Sequence, residues 1–252
     1  MSARFASVAF LGSRRLAGPM YRSIVAVDLE GSTTRTNPVK GELRRVMYDL
    51  LARALEATAI TDNHMEQLTD RGDGVMLLIR PHDDIPKTVL LDQLIPSLTT
   101  LLTEYNARAA QPALRMRLRA VLHAGEIHGD DRGFYGEAID IAIRLLDSAP
   151  VKKTLTQTAS PLVLVISDEI YSGIVCHGYV DADAYTPLVR VRIANRQHRG
   201  WVHIPRSGNV NGQATRPAAR ALGPFPLPRR PAAVYDAVAH RGLRAVAPVP
   251  HE

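Results

Sequence analysis

Two aspartates about 45 residues apart carry the clearest chemistry in this chain. Asp28 closes the apolar run Ile24-Val25-Ala26-Val27 and is followed by Leu29-Glu30-Gly31-Ser32-Thr33-Thr34. Asp73 lies in Thr69-Asp70-Arg71-Gly72-Asp73-Gly74, just before the apolar run Val75–Ile79. Taken singly, Asp28 reads as a helix cap and Asp73 as a turn former, both ordinary uses of the residue. Together, each at the edge of a strand-like run, they could hold a divalent ion such as Mg²⁺ or Mn²⁺. Such ions keep several waters and complete their shells with substrate phosphates. Gly31, Ser32 and Thr33 form a turn whose free amides can receive phosphate oxygens. The chemistry expected is that of a nucleotide-handling metal site.

The elements that must position these residues follow from periodicity. Residues 22–29 read as a buried strand, and 40–60 as a helix with its stripe at Leu43, Val46, Met47, Leu50, Leu51, Ala54 and Leu55. Residues 64–69 and 74–80 read as a strand pair around a tight turn at Asp70–Asp73. A helix follows over 88–108, then a long strand over 114–128 in which Arg115, Arg117 and Arg119 alternate with Leu114, Met116 and Leu118. Further on come a helix over 135–147, a strand over 162–166, a short helix from Asp168 to Val175, and a hairpin of strands over 187–194 and 200–204. The order β-α-β-β-α-β-α-β-α-β-β predicts a two-layer α/β sandwich (α+β), with helices packed against a largely antiparallel sheet.

Composition limits what surrounds that domain. The 252 residues suffice for one substantial core. The net charge of +6 sits at the ends: residues 1–20 carry +3, residues 207–252 carry +4, and 21–206 carry −1. The folded body therefore lacks the basic stripe of a nucleic-acid-binding fold. Seven of the 17 prolines fall after residue 206, where periodicity is lost. The expected division is a flexible extension over 1–20, a domain over 21–206, and a Pro/Arg-rich disordered tail over 207–252 with a short helix near 232–239. Met20, directly before the first strand, reads as the natural start. Cys176 is the one cysteine, so no internal disulfide is expected, and no apolar run approaches the ~20 residues of a membrane span. A cytoplasmic location is the expectation.

Four blocks, in this order, resemble the class III nucleotidyl cyclases, the adenylate and guanylate cyclase catalytic domains. Their first strand typically ends in Phe/Val-Asp-Ile/Leu-x-Gly-Ser/Thr-Thr, which Val27 to Thr33 matches. Their hairpin carries Gly-Asp before an apolar strand, as Gly72-Asp73 does. Their next strand is similar to Arg119-Ala120-Val121-Leu122-His123-Ala124-Gly125-Glu126-Ile127, and the helix after it to Ile139-Asp140-Ile141-Ala142-Ile143-Arg144-Leu145. The resemblance covers about 21–150, weakens over 151–206 and stops before the tail. It implies a ferredoxin-like βαββαβ core with a C-terminal strand hairpin, and a head-to-tail homodimer with sites at the interface. Asp28, Asp73 and the Leu29 carbonyl would hold two metal ions, and Gly31, Ser32 and Thr33 the triphosphate. Arg144 of the partner subunit would stabilise charge on the α-phosphate. The implied product is a 3′,5′-cyclic nucleotide, with pyrophosphate released.

The chain departs from that pattern where the base and ribose are held. The ribose-orienting asparagine falls on Asp140, which adds negative charge near phosphates. One like-charge pair at ~4 Å and an effective dielectric of ~20 costs about 4 kcal/mol, worth roughly three decades of rate if nothing offsets it. The base-selecting positions fall on Thr69 and Gly133, which cannot make the usual purine contacts. The expected base preference is therefore non-standard, with a pyrimidine as one option and Tyr135 and Phe134 as stacking candidates. The late triphosphate-binding lysine has no clear match, and Arg190 and Arg192 are its candidates. The same departures support an alternative, a catalytically degenerate cyclase-homology domain acting as a nucleotide-binding or dimeric regulatory module.

Other groups are set aside. His123 and His128 flank Glu126, but residues five apart on a strand face opposite ways. Arg115, Arg117 and Arg119 read as a solvated sheet face. Arg71-Gly72-Asp73 is a coincidental tripeptide, and Cys176 reads as structural.

Overall fold

The computed structural model describes residues 18–206. Except for its last three residues, the extension expected over 1–20 lies outside the described residues, as does the whole tail 207–252 with its short helix.

Strand β1 (Met20–Leu29) runs through the middle of an eight-stranded sheet. The other strands are β2 (Thr69–Asp70), β3 (Gly74–Ile79), β4 (Leu118–Asp130), β5 (Gly133–Tyr135), β6 (Leu162–Ser167), β7 (Thr186–Ile193) and β8 (Arg196–His203). Their order is β2-β3-β1-β4-β6-β8-β7, with β5 folded back on the end of β4. β1 pairs antiparallel with β3 on one side and with β4 on the other. The β4–β6 pair alone is parallel among the described strands. With helices α1 (Asn37–Ala57) and α3 (Ile95–Arg108), strands β1 to β4 make the expected ferredoxin-like βαββαβ core.

Helix α1 starts at Asn37-Pro38, where a missing N–H costs nothing. It buries the seven apolar positions that the sequence marks. Each fully buried Leu or Met side chain there contributes about 1.5–3 kcal/mol. α1 and α3 cover the sheet face that carries Val25, Val27 and Leu29. The other face carries Ile24 and Ala26 and is covered by α4 (Glu137–Leu146) and α5 (Ala149–Gln157). The sheet is thus sandwiched between helices, one layer more than expected.

Three local differences have simple causes. Helix α2 (Lys87–Val89) widens into a π-helical turn at Leu90–Leu94 before α3. Pro96 has no N–H to offer the turn before it, and the ladder loosens there. β4 begins at Leu118, because Pro112–Leu114 is a 3-10 turn and the Asn106 amide takes both the N–H and the C=O of Met116. α5 and α6 (Asp168–Gly173) flank β6, and α5, with only Val151 and Leu155 buried, is too short to leave a periodic signal.

Candidate active site

Asp28 sits one residue from the end of β1, opposite Gly74 on β3 and Arg119 on β4. Strand alternation turns its side chain, like those of Ile24 and Ala26, toward the α4/α5 face. Arg119 points the same way, and its Nη2 donates to the Asp28 carboxylate. Both side chains are largely buried, 11% exposed for Arg119 and 17% for Asp28. Burial lowers the Arg119 pKa from its ordinary value, and Asp147 opposes that shift. The Asp147 Oδ1 lies 3.7 Å from Arg119 Nη1, and Lys152 Nζ lies 3.4 Å from the same oxygen. The buried Nε of Arg119 has no hydrogen-bond partner.

Asp73 occupies the apex between β2 and β3. Its carbonyl accepts a 3.0 Å hydrogen bond from the Leu29 N–H, tying the hairpin to the end of β1. Its carboxylate accepts from the Ser32 hydroxyl. The turn needs Gly72, whose φ of +85° a side chain would strain. Arg44 on α1 pins the turn by pairing with Asp70 and donating to the Gly72 carbonyl at 2.6 Å. Beside it opens a cleft of about 350 Å³, floored by Leu29 and Met47 and rimmed by Ser32, Thr33, Lys40, Arg44 and Asp73. Gly31, at φ +68°, starts the 3-10 turn Ser32–Thr34. The amides of Gly31, Ser32 and Thr33 have no backbone acceptor among the described residues. The Lys40 ammonium makes no ion pair or hydrogen bond to a described residue either.

The structure therefore brings Asp28, Leu29, Gly31, Ser32, Thr33 and Asp73 together, with the two carboxylates turned to different partners. Their donor set fits Mg²⁺ or Mn²⁺: two carboxylates and the Leu29 carbonyl are all hard oxygens. A Cβ on Gly74 would lie 3.5 Å from the Asp28 Oδ1, so the glycine keeps space open beside that oxygen. Among the described residues no three His, Cys, Asp or Glu side chains converge on one point. A metal here must draw on water and substrate for its other ligands.

Other expected site residues are not brought in. Thr69 pairs with Met76 near the Asp28 end of the sheet, whereas Gly133 pairs with Asp130 at the opposite end of β4. Asp140 and Arg144 lie one turn apart on the exposed side of α4, and their side chains make no hydrogen bond or ion pair to any described residue. Arg190 and Arg192 lie on β7 at the far edge of the sheet, beyond β4, β6 and β8 from β1. Phe134 packs against the α4/α5 core, while the exposed Tyr135 stacks on His128 at 5.6 Å.

Of the arginine series around the start of β4, Arg115 is exposed as expected, but Arg117 and Arg119 are turned to partners within the chain. Arg117 donates to the carbonyls of Leu155 and Thr158, and Arg119 holds Asp28. His123 is buried, with Nδ1 2.8 Å from the Ser167 hydroxyl and 3.5 Å from the Glu169 carboxylate. Cys176 is exposed and donates to the Ser172 carbonyl at 3.0 Å. Sequence reasoning missed Lys40, Arg44 and Asp147. The first two had a signal, since they fall one turn apart on the helix that follows the Gly-Ser-Thr turn.

Solved structures share the fold that carries this arrangement. The guanylyl cyclase Cya2 superimposes with a TM-score of 0.53 at 14% identity, over 75% of this chain and 94% of its own. A bacterial light-regulated adenylyl cyclase gives 0.51 at 13% identity, over 73% and 90%. The fold is that of a class III nucleotidyl cyclase catalytic domain. The non-canonical dimeric guanylyl cyclase domain of the RhoGC fusion protein from the aquatic fungus Blastocladiella emersonii, at 0.51 and 10% identity over 75% and 99%, shares this cyclase fold. No protein-family model and no curated protein matches the sequence. No helix among the described residues of this cyclase fold is long and apolar enough to cross a membrane.

Proposed function

We propose that this chain is a metal-dependent nucleotidyl cyclase acting on a nucleoside triphosphate of non-standard base, with a pyrimidine as one option. One observation carries the reading. In a cyclase fold, the Leu29–Asp73 hydrogen bond holds two aspartate-bearing strand ends together, beside a turn with three free amides. The ribose 3′-oxygen attacks the α-phosphorus, the bond to the β-phosphate oxygen breaks, pyrophosphate leaves, and the hydroxyl proton passes to water. Gly31, Ser32 and Thr33 hold phosphate oxygens, and the free ammonium of Lys40 adds positive charge at the rim. Two Mg²⁺ or Mn²⁺ ions, when held by Asp28, Asp73 and the Leu29 carbonyl, supply Lewis-acid activation of the attacking and leaving oxygens.

A head-to-tail homodimer completes the site. Thr69 and Gly133 lie at opposite ends of one sheet, and Arg144 is exposed without a partner. A second copy would set its own Gly133, Asp140 and Arg144 against Thr69 and the aspartates of the first. Arg144 of the partner subunit would then stabilise the charge that builds on the α-phosphate. Mixing Asp73→Ala with Arg144→Ala protein should restore part of the activity that each variant lacks. No recovery would sink the shared site.

The test of the reaction is incubation with each of the four ribonucleoside triphosphates and Mg²⁺ or Mn²⁺, with detection of cyclic nucleotide and pyrophosphate. Product that disappears in Asp28→Ala supports the reading. The second reading, a degenerate nucleotide-binding or dimeric regulatory module, is favoured by the arginine that occupies Asp28 and by the carboxylate at Asp140. It predicts nucleotide binding without product from any of the four.

A further inference from the structure

Arg119 lies between two acids in unequal states. One guanidinium nitrogen donates to Asp28, a second lies 3.7 Å from Asp147, and Nε is buried without a partner. The two acids differ in what they need. Asp28 is largely buried and, left alone, would carry an uncompensated charge out of water, which is costly. Asp147 is 54% exposed and already has Lys152 at 3.4 Å, so it is stable whether or not Arg119 joins it. A cation bound to the first acid and within a small side-chain movement of the second is placed to move between them.

We infer that Arg119 is an exchangeable counter-cation, neutralising Asp28 when no divalent ion is bound there and passing to Asp147 when one is. The inference rests on the metal reading of Asp28 proposed above and extends it to a residue that the reading does not use. Charge decides the direction. An arginine and a divalent ion on one carboxylate repel each other, and Coulomb energies at this separation are large in a partly buried site. Without an acceptor, the displaced guanidinium would remain buried and unpaired. Asp147 removes that cost and lies next to the last turn of α4. Arg119 is thus a positioning residue: it sets how readily Asp28 becomes available.

The test is Mn²⁺ binding to the full chain without nucleotide, measured from the paramagnetic resonance signal of free Mn²⁺. Arg119→Gln removes the competitor and should tighten binding about tenfold. Asp147→Asn removes the alternative acceptor and should weaken binding several-fold. In the Arg119→Gln background, Asp147→Asn should have no further effect, because the residue it serves is gone. Asp147 is exposed, so its variant reports even where Arg119→Gln does not fold, and unchanged affinity in folded Asp147→Asn overturns the exchange. Asp28→Asn separates the two levels. If it abolishes Mn²⁺ binding while Arg119→Gln fails to tighten it, the exchange falls and the metal site stands. If it leaves Mn²⁺ binding unchanged, both fall.

Discussion

Leu29 donates its backbone N–H to the carbonyl of Asp73 at 3.0 Å, so the end of β1 and the apex of the β2–β3 turn behave as one unit. Neither aspartate depends on a flexible loop for its place. The constraint comes from the backbone, and sequence changes that open this junction should be felt at both carboxylates.

Gly74 is the sharpest probe of that junction. A Cβ there would lie 2.5 Å from the Val27 carbonyl oxygen, a contact that only a shift of β3 away from β1 could relieve. Gly74→Ala should destabilise the protein by about 1–3 kcal/mol and weaken metal binding in parallel. Urea denaturation with a Mn²⁺ titration checks both. Full stability in the variant would show that the strands separate easily.

Asp140→Asn should raise the cyclase rate, by less than sequence reasoning alone implies. The residue is exposed on α4. At ~4 Å in bulk water a like-charge pair costs about 1 kcal/mol rather than the ~4 of a partly buried pair. The expected gain is about fivefold to tenfold in kcat, read from initial rates of pyrophosphate release. A thousandfold gain would place the side chain in a dry dimer interface.

Lys40→Ala should raise KM for the triphosphate about three- to tenfold with little change in kcat, the pattern expected when a contact serves bound substrate and transition state alike. Its ammonium lines the cleft without a partner. Arg44→Ala should differ by also lowering thermal stability, because Arg44 pins the Asp70–Gly72 turn. Steady-state kinetics with thermal melting separates the two roles.

Acid should loosen the β4–β6 side of the sheet through Glu169. The hydrogen bond with His123 holds this carboxyl down at about 2, against burial that pushes it up, with its own backbone amide and Ser167 helping. Because the folded value is depressed, its stabilising contribution is fully present above the ordinary 4.5 and is lost as pH falls from there toward 2. Glu169→Gln should flatten the fall in urea midpoint over that window and change little at pH 7. An unchanged acid profile would remove Glu169 as a source of acid sensitivity.

The legible parts of this fold are those that periodicity reports directly. The α1 stripe is buried residue for residue, and β1, β3 and β6 are apolar runs where the sequence places them. α5 escaped because a nine-residue helix with two buried side chains has almost no period. At the site, the aspartates and the Gly31–Thr33 turn could be read from residue type. The Asp28–Arg119 pair could not, because it depends on the β1–β4 register across 91 residues of intervening separation. The alternation of Arg115, Arg117 and Arg119 shows a shared face, but not what that face meets.

Both outer strands of the sheet are poor templates for another chain. β2 is only two residues long. β7 carries Pro187, an irregular register between Thr186 and Val189, and the exposed charges of Arg190 and Arg192. Unpaired strand edges invite pairing between molecules, and shortness, proline, bulges and charge each discourage it. Arg190 and Arg192, on the edge strand separated from β1 by β4, β6 and β8, add charge that discourages copies from stitching their sheets into aggregates at high concentration.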